Sequence, residues 1–270
     1  MKTPQPAPKF ILNNPDGKSR GHILLIHGSA PFDMDGLIPG TTEKDRYGNF
    51  PFFRLLAEHL ASKGWTVYRY SKPGVGKTEI NTAEYAKTDL PRTVAQIQSI
   101  LGEIPDDAAP KIIFAWSEGT LAATQLDIKK ISGMIFLGGI STNIAGVVKW
   151  QGGPGKEELL RTLSEMKPTE MLGSDRPAKR LLDEIHLRDN WQYLQAHQQL
   201  KMLVLHGSAD REVPVSEVRI WEKELGQARV NTEIGEDLDH RFSDPKKSPP
   251  NLAHLFISID SWLDENWPVN

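Results

Sequence analysis

Short apolar runs punctuate the chain at "HILLIH" (22–27), "WTVYRY" (65–70), "KIIFAW" (111–116), "GMIFLG" (133–138), "KMLVLH" (201–206) and "VNTEIG" (230–235). Their length and their β-branched and aromatic content predict strands, and near-continuous hydrophobicity predicts that both faces of the sheet are covered. Longer stretches with apolar residues at helical spacing lie between them. "FFRLLAEHLASKG" (52–64) closes on Gly64, a C-terminal cap, and "DLPRTVAQIQSILGEI" (89–104) places Asp89 as N-cap with Pro91 in the first turn. "EGTLAATQLDIKK" (118–130), "SEVRIWEKELG" (216–226) and "LAHLFISIDSWLDEN" (252–266) complete the set, the first ending in lysines that suit the helix dipole. Upstream, after "KFIL", the turn-forming "NNPDGKSRG" joins two extended segments.

This alternation predicts an α/β fold: a mostly parallel, doubly wound sheet with helices on both faces. It breaks from about Ser141 to Leu200, where no strand-like run occurs and "KEELLRTLSEM", "DRPAKRLLDEIHL" and "NWQYLQAHQQL" are helix candidates. The expected organisation is a core of residues 1–140 and 201–270, with residues 141–200 inserted as a helical lid above the C-terminal sheet edge, where ligands bind in such folds.

Composition narrows the chemistry. The 270 residues carry a formal net charge of −3, which gives no reason to expect nucleic acid as a partner. There is no cysteine, so neither a disulfide framework, a thiolate metal site nor a cysteine nucleophile is available. "MKTPQPAPKF" lacks the apolar core of a secretory signal and no run is long enough to cross a bilayer, so the expectation is a cytoplasmic protein.

The most informative segment is "KIIFAWSEGTLAATQL", which reads strand, abrupt turn, helix, with Ser117 at the turn. Ala115-Trp116-Ser117-Glu118-Gly119 matches the G-x-S-x-G elbow with alanine at its first position. Small flanking residues are needed because strand and helix nearly touch around a strained nucleophile. Taken alone, Ser117 is equally an N-cap. A serine nucleophile also needs a base and an orienting acid. Asp210 follows the "KMLVLH" strand, and His240 follows the next, so serine, aspartate and histidine each stand after a strand at the same sheet edge. Asp237, Asp239 and Asp244 are rival acids near His240. His27 and His206, at strand ends, are expected to shape the site instead of taking the proton, and the other histidines sit in strand or helix patterns. "LLIHGSAPFDMDG" offers an HG-type loop, so the backbone N–H groups of Ser29 and Glu118 are the expected oxyanion donors.

"SKPGVGKT" (71–78) matches G-x-x-x-x-G-K-[ST] except that Ser71 replaces the first glycine, Pro73 removes an amide, and no apolar strand runs directly into a metal-holding aspartate. A nucleotide-binding reading is therefore the least favoured. Elbow, HG loop, late aspartate and late histidine together resemble the α/β-hydrolase superfamily, from about Phe10 to Trp267. The closer resemblance is to bacterial serine esterase-like hydrolases in which the HGS loop precedes a D-x-D-G stretch, here "FDMDG". A segment like "RYSKPGVGKT" follows their next strand, often with aspartate where this chain has Ser71. Departures are Ala115 and a reduced set of N-terminal strands.

The resemblance implies ester (or related acyl) hydrolysis through an acyl-enzyme on Ser117, with no metal or cofactor and a small-molecule ester or acyl substrate. Thioesterase, acyltransferase or lyase chemistry on the same site, and a low-turnover ligand-binding module, are the alternatives. His27, Trp116, Trp150 and Trp191 are the candidate pocket residues, with Met166, Met171 and Tyr193 as further apolar lid positions. The lid's basic residues (Lys149, Lys156, Arg161, Lys167, Arg176, Lys179, Arg180) read more readily as a solvated helix face than as an anion site.

Overall fold

The computed structural model describes residues 10–41, 49–152 and 187–268, together with isolated positions between 158 and 177. Every expected strand forms: β2 (His22–Ile26), β3 (Thr66–Tyr70), β4 (Lys111–Trp116), β5 (Gly133–Leu137), β8 (Lys201–Gly207) and β9 (Val230–Gly235). With β1 (Phe10–Asn13) they make one seven-stranded sheet in the order β1-β3-β2-β4-β5-β8-β9. All neighbours are parallel except β1, which runs antiparallel to β3. The turn at 14–20 therefore joins two extended segments that do not pair with each other.

The period of two along each strand sorts side chains onto two buried faces. Leu24, Ile26, Ile113, Ala115, Met134, Phe136, Met202 and Val204 face one apolar core, which takes in Leu90, Ile97 and Ile100 of α3 (Leu90–Glu103) and Val218 and Trp221 of Ser216–Leu225. Ile23, Leu25, Ile112, Phe114, Ile135, Leu137, Leu203 and Leu205 face the other, against α1 (Phe52–Ser62) and the final helix, Ala253–Asn266. Burial on both faces explains why the strands read as apolar runs without alternation. The caps read from sequence are present: Asp89 accepts the N–H of Arg92 at 2.9 Å, and Gly64 takes φ +93° just beyond α1.

Two expectations about helices are corrected. The helix expected over 118–130 is only α4 (Gly119–Ala123); tight bonds from Gln125 N–H to Ala122 and from Leu126 N–H to Ala123 end it. The chain then turns to bury Leu126 and Ile128, so Lys129 and Lys130 lie outside the helix and do not serve its dipole. A short helix, α2 (Thr82–Tyr85), forms where none was expected, capped by Asn81 accepting the N–H of Glu84.

Within 141–200, α5 (Ile144–Gly152), a two-stranded ribbon of β6 (Met171–Leu172) and β7 (Arg176–Pro177), and α6 (Asn190–Leu194) are described. The ribbon is strand where only helix was expected. Most of the helix candidate at 175–187 and part of that at 156–166, with Lys156, Lys179 and Arg180, lie outside the described residues. The two ends of this segment meet. Trp191 N–H donates to the carbonyl of Ser141 at 3.1 Å, buried Asn190 donates to that of Ile140 at 2.8 Å, and Asp189 accepts the N–H of Asn143 at 3.1 Å. Glu217, on α7 (Ser216–Leu225), accepts the backbone N–H groups of Ser141 (2.7 Å) and Thr142 (2.9 Å). The closing helix, Ala253–Asn266, is α8. No helix among the described residues is long and apolar enough to cross a membrane.

Candidate active site

Because β2 lies between β3 and β4, the chain leaves β2 toward one side of the sheet and later returns to the other. The loops after β2 and β4 diverge, opening a crevice at their C-terminal ends, where α/β sheets bind ligands. Ser117 stands there, between the last residue of β4 and the first of α4, at φ +56°. That conformation is unfavourable for a residue with a Cβ, and strained backbone of this kind concentrates at functional sites. The surroundings hold it. Ser117 N–H donates to the carbonyl of Leu137 at 2.9 Å, and its own carbonyl accepts the Thr120 hydroxyl at 2.7 Å. A Cβ on Gly119 would lie 2.4 Å from the carbonyl oxygen of His27, so the glycine is what lets α4 pass the end of β2. Ala115, fully buried between Ile26 and Phe136, fits the first elbow position. The helix after Glu118 is short, so its dipole adds little to the site.

Asp210 follows β8. Its Oδ1 accepts the backbone N–H groups of Glu212 (2.7 Å) and Val213 (3.1 Å), which fixes the plane of the carboxylate. Its Oδ2 faces Nδ1 of His240 at 2.7 Å and Nε2 of His206 at 3.0 Å. Burial works against the charged form, but the attraction of His240 and the hydrogen bonds of both imidazoles outweigh it and hold the carboxyl well below its ordinary range. Of the rival acids, Asp239 accepts the N–H groups of Arg241 and Ser243 within its own turn and Asp244 accepts that of Lys246. Asp237 lies exposed, with its N–H on the Ser208 hydroxyl.

His240 lies in the loop after β9. Trp116 Nε1–H donates to its carbonyl at 3.0 Å, and the two rings stand 5.4 Å apart. Beneath the imidazole is Gly138, at φ +54°; a Cβ there would fall 2.8 Å from both Cε1 and Nδ1. His27 is different in kind. It is buried, donates from Nε2 to the carbonyl of Tyr70 at 2.6 Å, and packs on Phe53 with centroids 4.4 Å apart. Burial drives its pKa down to about 3, the nearby charges of Lys72 and Arg69 add to this, and the Tyr70 bond only partly opposes it. His27 is therefore neutral at physiological pH, a packing group at the root of the loop.

That loop, 28–41, is tied to the end of β3. Asp33 Oδ1 accepts the N–H groups of Asp35 and Leu37 (2.9 Å each), and its burial raises its carboxyl pKa. Arg69 pairs with Asp35 and donates to the carbonyl of Met34 at 3.0 Å, while the Ser71 hydroxyl accepts Met34 N–H at 3.0 Å. Amides of the phosphate-loop-like stretch are taken up by backbone carbonyls. Lys72 N–H goes to Phe32, Val75 N–H to Lys72 and Gly76 N–H to Glu79, and Val75 and Ile80 form a bridge. Such a closed turn, with no helix directly after it, lacks the convergent amides that wrap phosphates.

Ser29, Trp116, Ser117, Glu118 and His240 line one cavity of about 650 Å³. Its apolar walls are Phe32, Ile38, Ile80, Ile140, Ile144, Val147 and Val213. Of the four expected pocket residues only Trp116 is among those lining it. His27 is buried behind the loop, Trp150 is 47% exposed, and Trp191 packs against the core. Met166 also packs on that core, and Tyr193 lies under the guanidinium of Arg188, 3.9 Å from its carbon. The side chain of Met171 lies outside the described residues. Arg161 pairs with Glu158 and Glu165 on an exposed surface, as a solvated helix face would. Sequence reasoning missed the aliphatic wall, because its members come from four separate segments and share no spacing. It also missed Gly138, whose only sequence signal was its place just after a strand.

No protein-family profile matches the chain. It is 27% identical over 246 residues to Esterase EstD of Thermotoga maritima, covering 84% of this chain; the chain spans 56% of that relative's length. Among solved structures, a soluble variant of monoglyceride lipase from Saccharomyces cerevisiae, in complex with a substrate analog, superposes with a TM-score of 0.67 at 16% identity, covering 100% of this chain and 99% of that one. Est1E from Butyrivibrio proteoclasticus with bound ferulic acid gives 0.65 at 15% identity, covering 96% and 94%.

Proposed function

The chain has the α/β-hydrolase fold, and on that premise we propose that it is a serine hydrolase that cleaves carboxylic ester bonds. One observation carries the reading: Ser117, on its strained turn, and His240, bound through Nδ1 to buried Asp210, line the same cavity. In the proposed reaction Nε2 of His240 takes the Ser117 proton as Oγ attacks the ester carbonyl carbon. Asp210, held ionised, keeps the Nδ1–H tautomer in place and offsets the imidazolium charge. The carbonyl oxygen becomes an oxyanion that the N–H groups of Ser29 and Glu118 stabilise. Ser29 N–H has no hydrogen-bond partner among the described residues, which suits that role. Collapse of the intermediate expels the alcohol, which leaves with the proton from Nε2. Water, deprotonated by the same nitrogen, then releases the acid.

The aliphatic cavity wall favours an apolar acyl or alcohol group. EstD is an esterase by name, which agrees in class. Residues 141–200 are the proposed lid, since α5 supplies Ile144, Val147 and Gln151 to the cavity and the two ends of the segment are bound together.

The test is hydrolysis of p-nitrophenyl esters and labelling by a fluorophosphonate. Ser117→Ala should abolish labelling and reduce turnover by at least about 10³-fold while the protein stays folded. Undiminished turnover by that variant would defeat the assignment.

A further inference from the structure

We propose that Lys72 is a positioning residue for the oxyanion site: by binding the carbonyl oxygen of Gly28, its ammonium turns the N–H of Ser29 toward Ser117. The inference rests on the function proposed above, and it gives a role to the stretch that mimics a phosphate loop.

Lys72 is only 4% exposed, and its Nζ donates to Gly28 O. In a planar trans peptide the C=O and the following N–H point in opposite directions. Anchoring the Gly28 oxygen on one side therefore aims Ser29 N–H to the other. The peptide borders the nucleophile: Gly28 and Ser29 line the same cavity as Ser117, and a Cβ on Gly28 would come within 3.2 Å of the Ser117 Cβ and 3.4 Å of the Trp116 carbonyl oxygen. The next carbonyl, of Ser29, accepts the Tyr85 hydroxyl at 2.9 Å, which resists rotation of the loop from its far end. Lys72 is itself anchored. Its N–H donates to Phe32 at 3.2 Å, its carbonyl accepts Val75 N–H at 3.0 Å, and the preceding carbonyl of Ser71 accepts Gln96 Nε2 at 3.2 Å. The closed turn at 72–80 thus fixes the root of the lysine, and the lysine fixes the donor peptide. A cation behind the peptide also polarises it, which strengthens the N–H as a donor to developing negative charge.

The experiment compares wild type with K72M, which keeps the aliphatic stem, and with K72R and K72Q. Each is assayed for p-nitrophenyl butyrate hydrolysis and for inhibition by an alkyl trifluoromethyl ketone, whose serine adduct carries an oxyanion. K72M should lose about 10–100-fold in kcat with KM within about threefold, and the inhibitor's Ki should rise by the same factor as kcat/KM falls. K72R, which keeps a cationic donor, should recover part of both. If K72M does not fold, the proportionality between Ki and kcat/KM across K72R and K72Q carries the test. Folded K72M with kcat within about threefold of wild type, or variants whose kcat/KM falls while Ki stays constant, would overturn the role of Lys72 alone. A wild type that neither hydrolyses esters nor takes the fluorophosphonate label overturns the hydrolase reading as well.

Discussion

Gly138→Ala tests the geometry of the base most directly. Gly138 adopts φ +54°, and an added methyl would stand 2.8 Å from Cε1 and Nδ1 of His240 and 3.4 Å from Oδ2 of Asp210. Carbon contacts are comfortable at about 3.5–4.0 Å, so the ring has to retreat by roughly 0.7–1 Å. The residue as a whole resists moving, because its carbonyl is held by Trp116 Nε1. The ring must therefore rotate away from Asp210 and from the hydroxyl it is to deprotonate. A misplacement of about 1 Å costs about 10²-fold in rate, or about 2.7 kcal/mol of barrier. The positive φ adds a separate cost of about 1–2 kcal/mol to stability. Gly226→Ala separates the two effects, since Gly226 has φ +86° and nothing within 4 Å of a built Cβ. Both variants should lose stability in urea unfolding, but only Gly138→Ala should lose kcat on p-nitrophenyl butyrate. Retention of kcat within about threefold by folded Gly138→Ala would refute the placement of His240 as base.

The strained turn and the buried histidine carry further expected outcomes. Ser117→Gly and Ser117→Ala should both be inactive, but the glycine variant should be the more stable by about 1 kcal/mol because it relieves φ +56°; urea unfolding that ranks alanine higher would show that no strain resides there. His27 has its pKa lowered from 6.5 to about 3, so between those values the unfolded chain binds more protons than the folded one. Its contribution to stability is complete above about pH 6.5 and declines by up to about 1.4 kcal/mol for each unit below, until about pH 3. His27→Gln should flatten the fall in unfolding free energy between about pH 6.5 and about pH 5 by about 2 kcal/mol, and an unchanged pH dependence would reject a neutral buried histidine.

By itself the sequence determined the layer architecture, because each strand is buried on both faces and each main helix on one. Apolar runs and helical spacing are local records of that burial, and Asp89 and Gly64 are local records of helix ends. The elbow around Ser117 was legible for the same reason: a strained turn between a strand and a helix demands small neighbours at fixed offsets. Asp210 and His240 could be named from their order after successive strands, but not the bond that selects Asp210 over Asp239, since three nearby aspartates look alike until their backbone partners are known.

Tertiary structure alone decided the rest. It shortened the helix after Ser117, because Leu126 and Ile128 gain more from burial in the core than from continuing that helix. It assembled the cavity wall from distant aliphatic residues, and it removed His27, Trp150 and Trp191 from that wall. It also gave "SKPGVGKT", already disfavoured as a phosphate loop by Ser71 and Pro73, its place as the anchor of the loop after β2. Whether backbone amides converge on a ligand or bond to one another depends on the path of the chain through space, and residue types at fixed spacing do not encode that path.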